Sequence, residues 1–366
     1  MTEPPRSPPR IRPLVAGLTD VGRQRKHNED HVLIKAEKRL FAVADGMGGH
    51  NAGDVASKLT TTSLGNFFEA TSDGETPVDL PDDYKDLSPD ARRLVAGVRK
   101  ANHDVFVISN TVQQHHGMGS TIVATHFGND GMMHIAHVGD SRCYRIREGV
   151  IKQLTRDHSL INDALELKPD LAPEELARLP RNIITRALGM KDVVKVDIKS
   201  DVSQPGDMYL LCSDGLSGMV PDPQILEVVN LTDDPQEACE LLIAEANDAG
   251  GTDNISALMI RIVEYRPDED SVPAVETHEE ELGDSLSDAE LEAAEVDAGL
   301  EELVSAEEAA AIAEADTGEP TLDLRGSWVT KRAVPRCASC SAELLEGNSF
   351  CVECGARIPD ADAMEA

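Results

Sequence analysis

From Leu14 to about Tyr265 the chain carries a globular pattern, short strand-like apolar runs separated by longer amphipathic stretches. The runs RLFAVADGMGG, MMHIAHVGDSRCYRI, DMYLLCSDG and NISALMIRIVEY predict strands, and several of them end in Asp-Gly or Gly-Asp. The second run and its continuation GVIKQLT predict a hairpin turning at Glu148-Gly149. Leu94, Val98, Ala101, Val105, Ile108 and Val112 are spaced by 4, 3, 4, 3 and 4 residues, so one apolar stripe runs down a long helix that packs on a sheet. Asn51 to Ala70 predicts a second helix, residues 72 to 89 a surface loop, and residues 157 to 182 a short helical insertion.

The flanks differ. Residues 1 to 13 hold five prolines and three arginines, which predicts a disordered arm without helix or central strand. Beyond Tyr265 the composition shifts to Glu, Asp, Ala, Ser and Pro. Residues 267 to 320 contain 20 acidic residues and no Lys or Arg, and so carry 20 of the net 33 negative charges. Like charge at that density predicts a flexible acidic linker over 266 to 333. The net charge of -33 argues against a nucleic-acid or anionic-membrane binder. No apolar run of membrane-spanning length and no signal-type leader occurs, so a cytoplasmic protein without a membrane partner is expected.

Seven cysteines fall into two groups. Cys143, Cys212 and Cys239 are scattered and predict small core residues. Cys337, Cys340, Cys351 and Cys354 form two CxxC pairs separated by ten residues. That spacing predicts a zinc ribbon over 334 to 359, four thiolates closing a tetrahedral structural site, followed by a disordered tail over 360 to 366. The Cx5R spacing from Cys351 to Arg357 is set aside, since Glu353 inside such a loop would repel a phosphate.

Four acidic punctuations carry the remaining candidate chemistry: Asn28-Glu29-Asp30, Asp45-Gly46, Asp214-Gly215 and Thr252-Asp253-Asn254. Alone, each is ordinary turn chemistry. Together, carboxylates at strand ends, most with a nearby glycine, offer oxygen ligands suited to Mg²⁺ or Mn²⁺.

The motifs TDVGRQRKHNED, FAVADGMGGHNAG, GMGSTIVA, AHVGDSR, LTRDHS, LLCSDGLSGMV and GGTDNISALMI occur in an order that resembles the bacterial metal-dependent Ser/Thr protein phosphatases of the PPM, or type 2C, family. The resemblance covers residues 14 to 265 and implies an α+β fold, an α-β-β-α sandwich of two antiparallel sheets flanked by helices. It further implies that Asp45 bridges two Mn²⁺ or Mg²⁺ ions, with the Gly46 carbonyl, Asp214 and Asp253 as direct ligands and Glu29 acting through water. Asp140 is similar to the residue that, with Asp214, forms a weaker third metal site. Arg25 matches the residue that grips the substrate phosphate. The implied activity is hydrolysis of phosphoserine and phosphothreonine in proteins by a water bridging the two metals, reversing a Ser/Thr kinase. The alternative is a catalytically weak phosphoprotein-binding regulator whose zinc ribbon docks a protein partner. Met47 stands where the eukaryotic branch has a histidine proposed as general acid, and His50 is expected to be a local structural residue. Ser120, Thr121 and Asn254 are expected to brace the site, Asp20 either to support the site from behind its ligands or equally to make a turn before Val21-Gly22, and His115, His116 and His126 to lie outside the chemistry.

Overall fold

The computed structural model of the chain describes residues 10–49, 52–71, 80–128, 131–176, 178–180, 183–265, 321–322 and 328–329. Two compact units are Met1–Glu280 and Glu281–Ala366. In the second, Thr321–Leu322 pairs antiparallel with Trp328–Val329. Cys337, Cys340, Cys351, Cys354 and the acidic stretch lie outside the described residues.

The first unit runs β1 (Arg10–Asp20), β2 (Asp30–Lys35), β3 (Leu40–Met47), α1 (Ala52–Ala70), α2 (Pro89–Thr111), β4 (Gly119–Ser120), β5 (Ile122–Phe127), β6 (Met133–Val138), β7 (Arg142–Arg147), β8 (Val150–Gln153), α3 (Leu160–Leu167), α4 (Pro173–Leu176), β9 (Asp197–Asp201), β10 (Met208–Cys212), α5 (Asp214–Ser217), α6 (Asp222–Val229), α7 (Pro235–Asp248) and β11 (Ile255–Tyr265). One antiparallel sheet has the order β1-β11-β10-β7-β8 and the other β2-β3-β5-β6-β9, with β4 paired to β3.

Period-two alternation builds both layers. Phe41, Val43, Tyr209 and Leu211 turn into a core shared by the two sheets. Their neighbours Leu40 and Ala42 pack on α1 and α2, while Leu210 and Cys212 pack on α5, α6 and α7. Both faces of these strands are covered, which explains why the runs read as nearly continuous apolar segments. Four residues of the spaced stripe, Leu94, Val98, Ala101 and Val105, are fully buried on α2. That helix starts where Ser88 accepts a hydrogen bond from the Ala91 N–H and Pro89 fills the first turn. Buried Arg93 donates to the carbonyls of Phe68 and Thr71, capping the end of α1, and lies 4.4 Å above the Phe68 ring.

Two expectations are corrected. The arm expected over residues 1 to 13 gives way to strand from Arg10, because β1 pairs with β11 as far as Arg10↔Tyr265. Pro13 is accommodated because β1 is the edge strand of its sheet. The run MMHIAHVGDSRCYRI is two strands in different sheets, β6 and β7, since the chain crosses at Gly139, where φ is +110°. The hairpin at Glu148-Gly149 forms as expected, with φ of 51° and 74° at the two turn residues. Helices α6 and α7 are additions to the elements that the apolar pattern predicts. Among the described residues no helix is long and apolar enough to cross a membrane.

Candidate active site

The acidic motifs come together because each lies where a strand ends or the chain passes between sheets. Residues 21 to 29 link β1 to β2, Asp45 ends the part of β3 that pairs with β2, Asp140 lies in the β6-to-β7 crossing, Asp214 follows β10, and Asp253 precedes β11. A cleft of about 260 Å³ opens there, lined by Arg25, Glu29, Asp45, Gly46, Asp214 and Asp253, with Met47 and Ile184 on its apolar side.

The backbone of Asp45 is held from three directions. Its N–H donates to Thr121 Oγ1 at 3.1 Å, and its carbonyl accepts from the Thr121 N–H at 2.8 Å and from Ser120 Oγ at 3.1 Å. Its side chain is thereby aimed at the cleft, which Asp214 also lines. At Gly46 a Cβ would lie 1.8 Å from the Gly53 carbonyl oxygen, so only glycine lets the end of β3 meet the start of α1. A Cβ on Gly215 would lie 1.9 Å from the Asn254 carbonyl oxygen, and this close approach brings Asp214 beside Asp253. Gly53 in turn makes room for Glu29, since a Cβ there would lie 2.5 Å from Glu29 Oε1.

Arg25 donates to Asp253 Oδ2 at 2.8 Å and sits 3.8 Å from Glu29 Oε2. Its side chain remains 46% exposed, which leaves donors of its fork facing the open cleft. Asn254 ties the loops: its side-chain oxygen accepts from the Glu29 N–H, and its amide donates to the carbonyls of Val21 and His27. Asp20 accepts from the Gly22 N–H, the bond of a turn residue. His126 is buried edge-on against Phe68, and burial pushes its pKa down to about 4. His115 closes a 3-10 turn. His50 lies outside the described residues.

On the sequence reading Asp30 belongs to one of the four acidic motifs but has no role of its own, and the structure puts it directly beneath the cleft. It pairs in register with Asp45 and is 4% exposed. Its Oδ2 accepts from Ser213 Oγ at 2.7 Å, whereas Oδ1 has no partner among the described residues. Its position immediately after Glu29, where β2 begins, is the one signal available in sequence.

The charges in this site oppose one another. Among the described residues lining the cleft, Arg25 is the only cationic side chain, against four carboxylates. Burial, then the charges of Asp30, Asp214, Asp140 and Asp253, holds Asp45 well above the usual carboxylate range. Burial raises Asp214 as well, reinforced by Asp253. Asp30 and Asp140 are each pushed up to about 7, chiefly by burial, and Asp140 Oδ1 is also buried without a partner among the described residues. Clustered carboxylates, two of them with a buried oxygen that has no partner among the described residues, are a donor set that hard divalent cations fit.

With the geometry in place, the comparisons are specific. The protein phosphatase 2C family model matches residues 22–242. The serine/threonine phosphatase stp of Listeria monocytogenes serotype 4b is 36% identical over 246 residues, 66% of this chain and 93% of that protein. Protein phosphatase PhpP of Streptococcus pneumoniae is 34% identical over 251 residues, 68% of this chain and 96% of that protein. Among solved structures, the chain is similar to the Mycobacterium tuberculosis serine/threonine phosphatase PstP/Ppp, with 34% identity and a TM-score of 0.58 over 70% of this chain and 99% of that one. It is equally similar, at 33% identity and a TM-score of 0.58, to the catalytic domain of the phosphatase PstP in complex with two manganese ions, covering 69% of this chain and 100% of that one. The match extends over more than half of the sequence and nearly the whole of each relative, and the chain therefore belongs to the protein phosphatase 2C family of metal-dependent phosphatases.

Proposed function

We propose that the protein hydrolyses phosphoserine and phosphothreonine in proteins, reversing a Ser/Thr kinase in bacterial signalling, at the carboxylate cleft between the two sheets. The observation that carries this is the convergence of Glu29, Asp45, Asp214 and Asp253 on one cleft with Arg25 at its rim. Asp45, the Gly46 carbonyl, Asp214 and Asp253 would hold two Mn²⁺ or Mg²⁺ ions, Glu29 would act through water, and Asp140 with Asp214 would hold a weaker third. When bound, these ions supply charge neutralisation at the phosphoryl oxygens and a water acidic enough to attack phosphorus directly.

The protein's own side chains do the rest. Arg25 presents a planar fork of donors to the phosphate oxygens and orients the ester. Asn254, Thr121 and Ser120 hold the loops so that the carboxylates do not have to reorganise during the reaction. Met47 offers the departing alkoxide no proton, so protonation falls to solvent. The test is hydrolysis of paired phosphopeptides differing only in the modified residue. Phosphoserine and phosphothreonine forms should be turned over with Mn²⁺ or Mg²⁺ and not after chelation, and a chain that hydrolyses only the phosphotyrosine form would overturn the assignment.

The two CxxC pairs support a further element of the proposal. Cys337, Cys340, Cys351 and Cys354 would hold one structural Zn²⁺ in a ribbon that docks a protein partner, tethered by the acidic linker to a phosphatase acting in the cytoplasm. About one zinc per chain is expected from four thiolates, released by Cys337→Ser, and elemental analysis of the reduced, desalted protein checks it. A zinc-free chain would remove the ribbon.

A further inference from the structure

His158 lies between β8 and α3, outside the cleft, with its side chain 7% exposed. It holds both polar groups of one residue in the β6-to-β7 crossing. The His158 N–H donates to the Gly139 carbonyl at 2.9 Å, and the Gly139 N–H donates to His158 Nδ1 at 2.9 Å. The His158 carbonyl in turn accepts from the Thr185 N–H at 2.9 Å, next to Ile184 of the cleft. Because Nδ1 accepts from a backbone N–H, the ring proton belongs on Nε2, which faces Asp197 Oδ2 at 3.3 Å, and the Arg186 Nη1 that lies 2.8 Å from Nε2 is then a packing contact and not a hydrogen bond. Arg186 completes the assembly with Nη1 at 2.6 Å from Asp197 Oδ1, and the ring stacks on His137 at 4.8 Å with an interplanar angle of 6°.

One nitrogen or oxygen each from His137, His158 and Asp197 lies within 4.8 Å of the others, a spacing that a cation could use. The hydrogen bonds oppose it. His158 Nε2 carries the proton that Nδ1 lacks, His137 Nε2 is engaged by the Arg156 carbonyl at 2.9 Å, and the Arg186 charge already neutralises Asp197. A metal there would have to displace a guanidinium and the proton on His158 Nε2.

The consequence falls on Asp140. Its Oδ1 is buried without a hydrogen-bond partner among the described residues, so no neighbouring side chain ties that oxygen down and the direction of the carboxylate follows its backbone. Gly139 has no slack on the other side either: a Cβ there would lie 2.6 Å from Thr121 Cβ, and Thr121 holds Asp45. We propose that His158 is a positioning residue, which pins the Gly139–Asp140 backbone to the returning chain at Thr185 and so sets where the Asp140 carboxylate stands at the end of the sandwich. Only its consequence for cation binding rests on the proposed role of Asp140.

The test uses the full chain and two substitutions that separate the ring nitrogens. Asparagine places an amide oxygen where Nδ1 lies, whereas glutamine reaches only the Nε2 position. In His158→Asn the Gly139 amide should keep its hydrogen-exchange protection to within about tenfold, and in His158→Gln it should lose roughly a hundredfold or more. His158→Gln should also lose the weakest Mn²⁺ in a calorimetric titration, as Asp140→Asn does. Its kcat should fall about tenfold, with KM for a small aryl phosphate changed less than about twofold, the size expected for an outer partner of a ligand. Equal exchange at Gly139 in both variants would overturn the proposal. So would nitrogen NMR of the unmutated protein showing the proton on Nδ1, a measurement that needs no variant to fold. If Asp140→Asn leaves Mn²⁺ binding unchanged, the cation role of Asp140 falls while exchange at Gly139 still decides for or against His158.

Discussion

Asp45→Asn, Asp214→Asn and Asp253→Asn are each expected to lower phosphopeptide turnover by at least about a hundredfold, because each removes one anionic oxygen donor from a site whose charge balance requires bound cations. Asp253 carries a second duty, since it accepts from Arg25 at 2.8 Å. Arg25→Ala serves as the control for that duty. It should act mainly on KM, because the guanidinium grips the phosphate in the ground state and the transition state alike. The metal-free proteins should move in the opposite direction. Burial, reinforced by the charges of neighbouring carboxylates, holds Asp45 and Asp214 above their ordinary range, so replacing either with a neutral amide should raise the melting temperature without Mn²⁺ and remove the gain on adding it. Full turnover by Asp253→Asn would sink the two-metal assignment.

In the metal-free protein Asp30→Asn should stabilise the fold on the order of 4 kcal/mol at about pH 8, with the gain shrinking by roughly half at about pH 5. Burial lifts Asp30 from 3.8 to about 7. Between those values the folded chain keeps a proton that the unfolded chain releases, so this contribution to stability declines as pH rises through the window and is fully lost above about 7. The amide needs no proton and can still accept from Ser213 Oγ, the bond that Asp30 makes at 2.7 Å. His31, His126 and His137 are held near 4 by burial and act with the opposite sign, losing stability as pH falls from 6.5 toward 4. The measurement is therefore the difference between variant and unmutated protein in denaturant unfolding across pH. A pH-independent difference would show that Asp30 does not titrate in this window.

Local patterning makes much of this protein legible from its residues alone. The spaced stripe from Leu94 specifies α2 because neighbours three and four residues apart share one face of a helix. The turn at Glu148-Gly149 and the order of the acidic motifs are likewise matters of adjacent residues, and the two-sheet family follows from that order. What separates strands into layers is not adjacent. In MMHIAHVGDSRCYRI the polar stretch Gly139-Asp140-Ser141 does not say whether the chain turns back or changes sheet, and its division between two sheets depends on Gly139 being able to take φ of +110° against Thr121. Pro13 reads as a strand breaker for the same reason, since an edge position is a property of the sheet and not of the strand. The contact between Arg25 and Asp253 joins residues 228 apart, and only the pairing of β1 with β11 brings them to the same rim. Asp30 and His158 belong to tertiary structure most completely. The first is an ordinary strand-opening carboxylate until two sheets close over it, and the second is a histidine like any other until Gly139 arrives at its Nδ1, because burial and hydrogen-bond direction come into being only when distant segments pack.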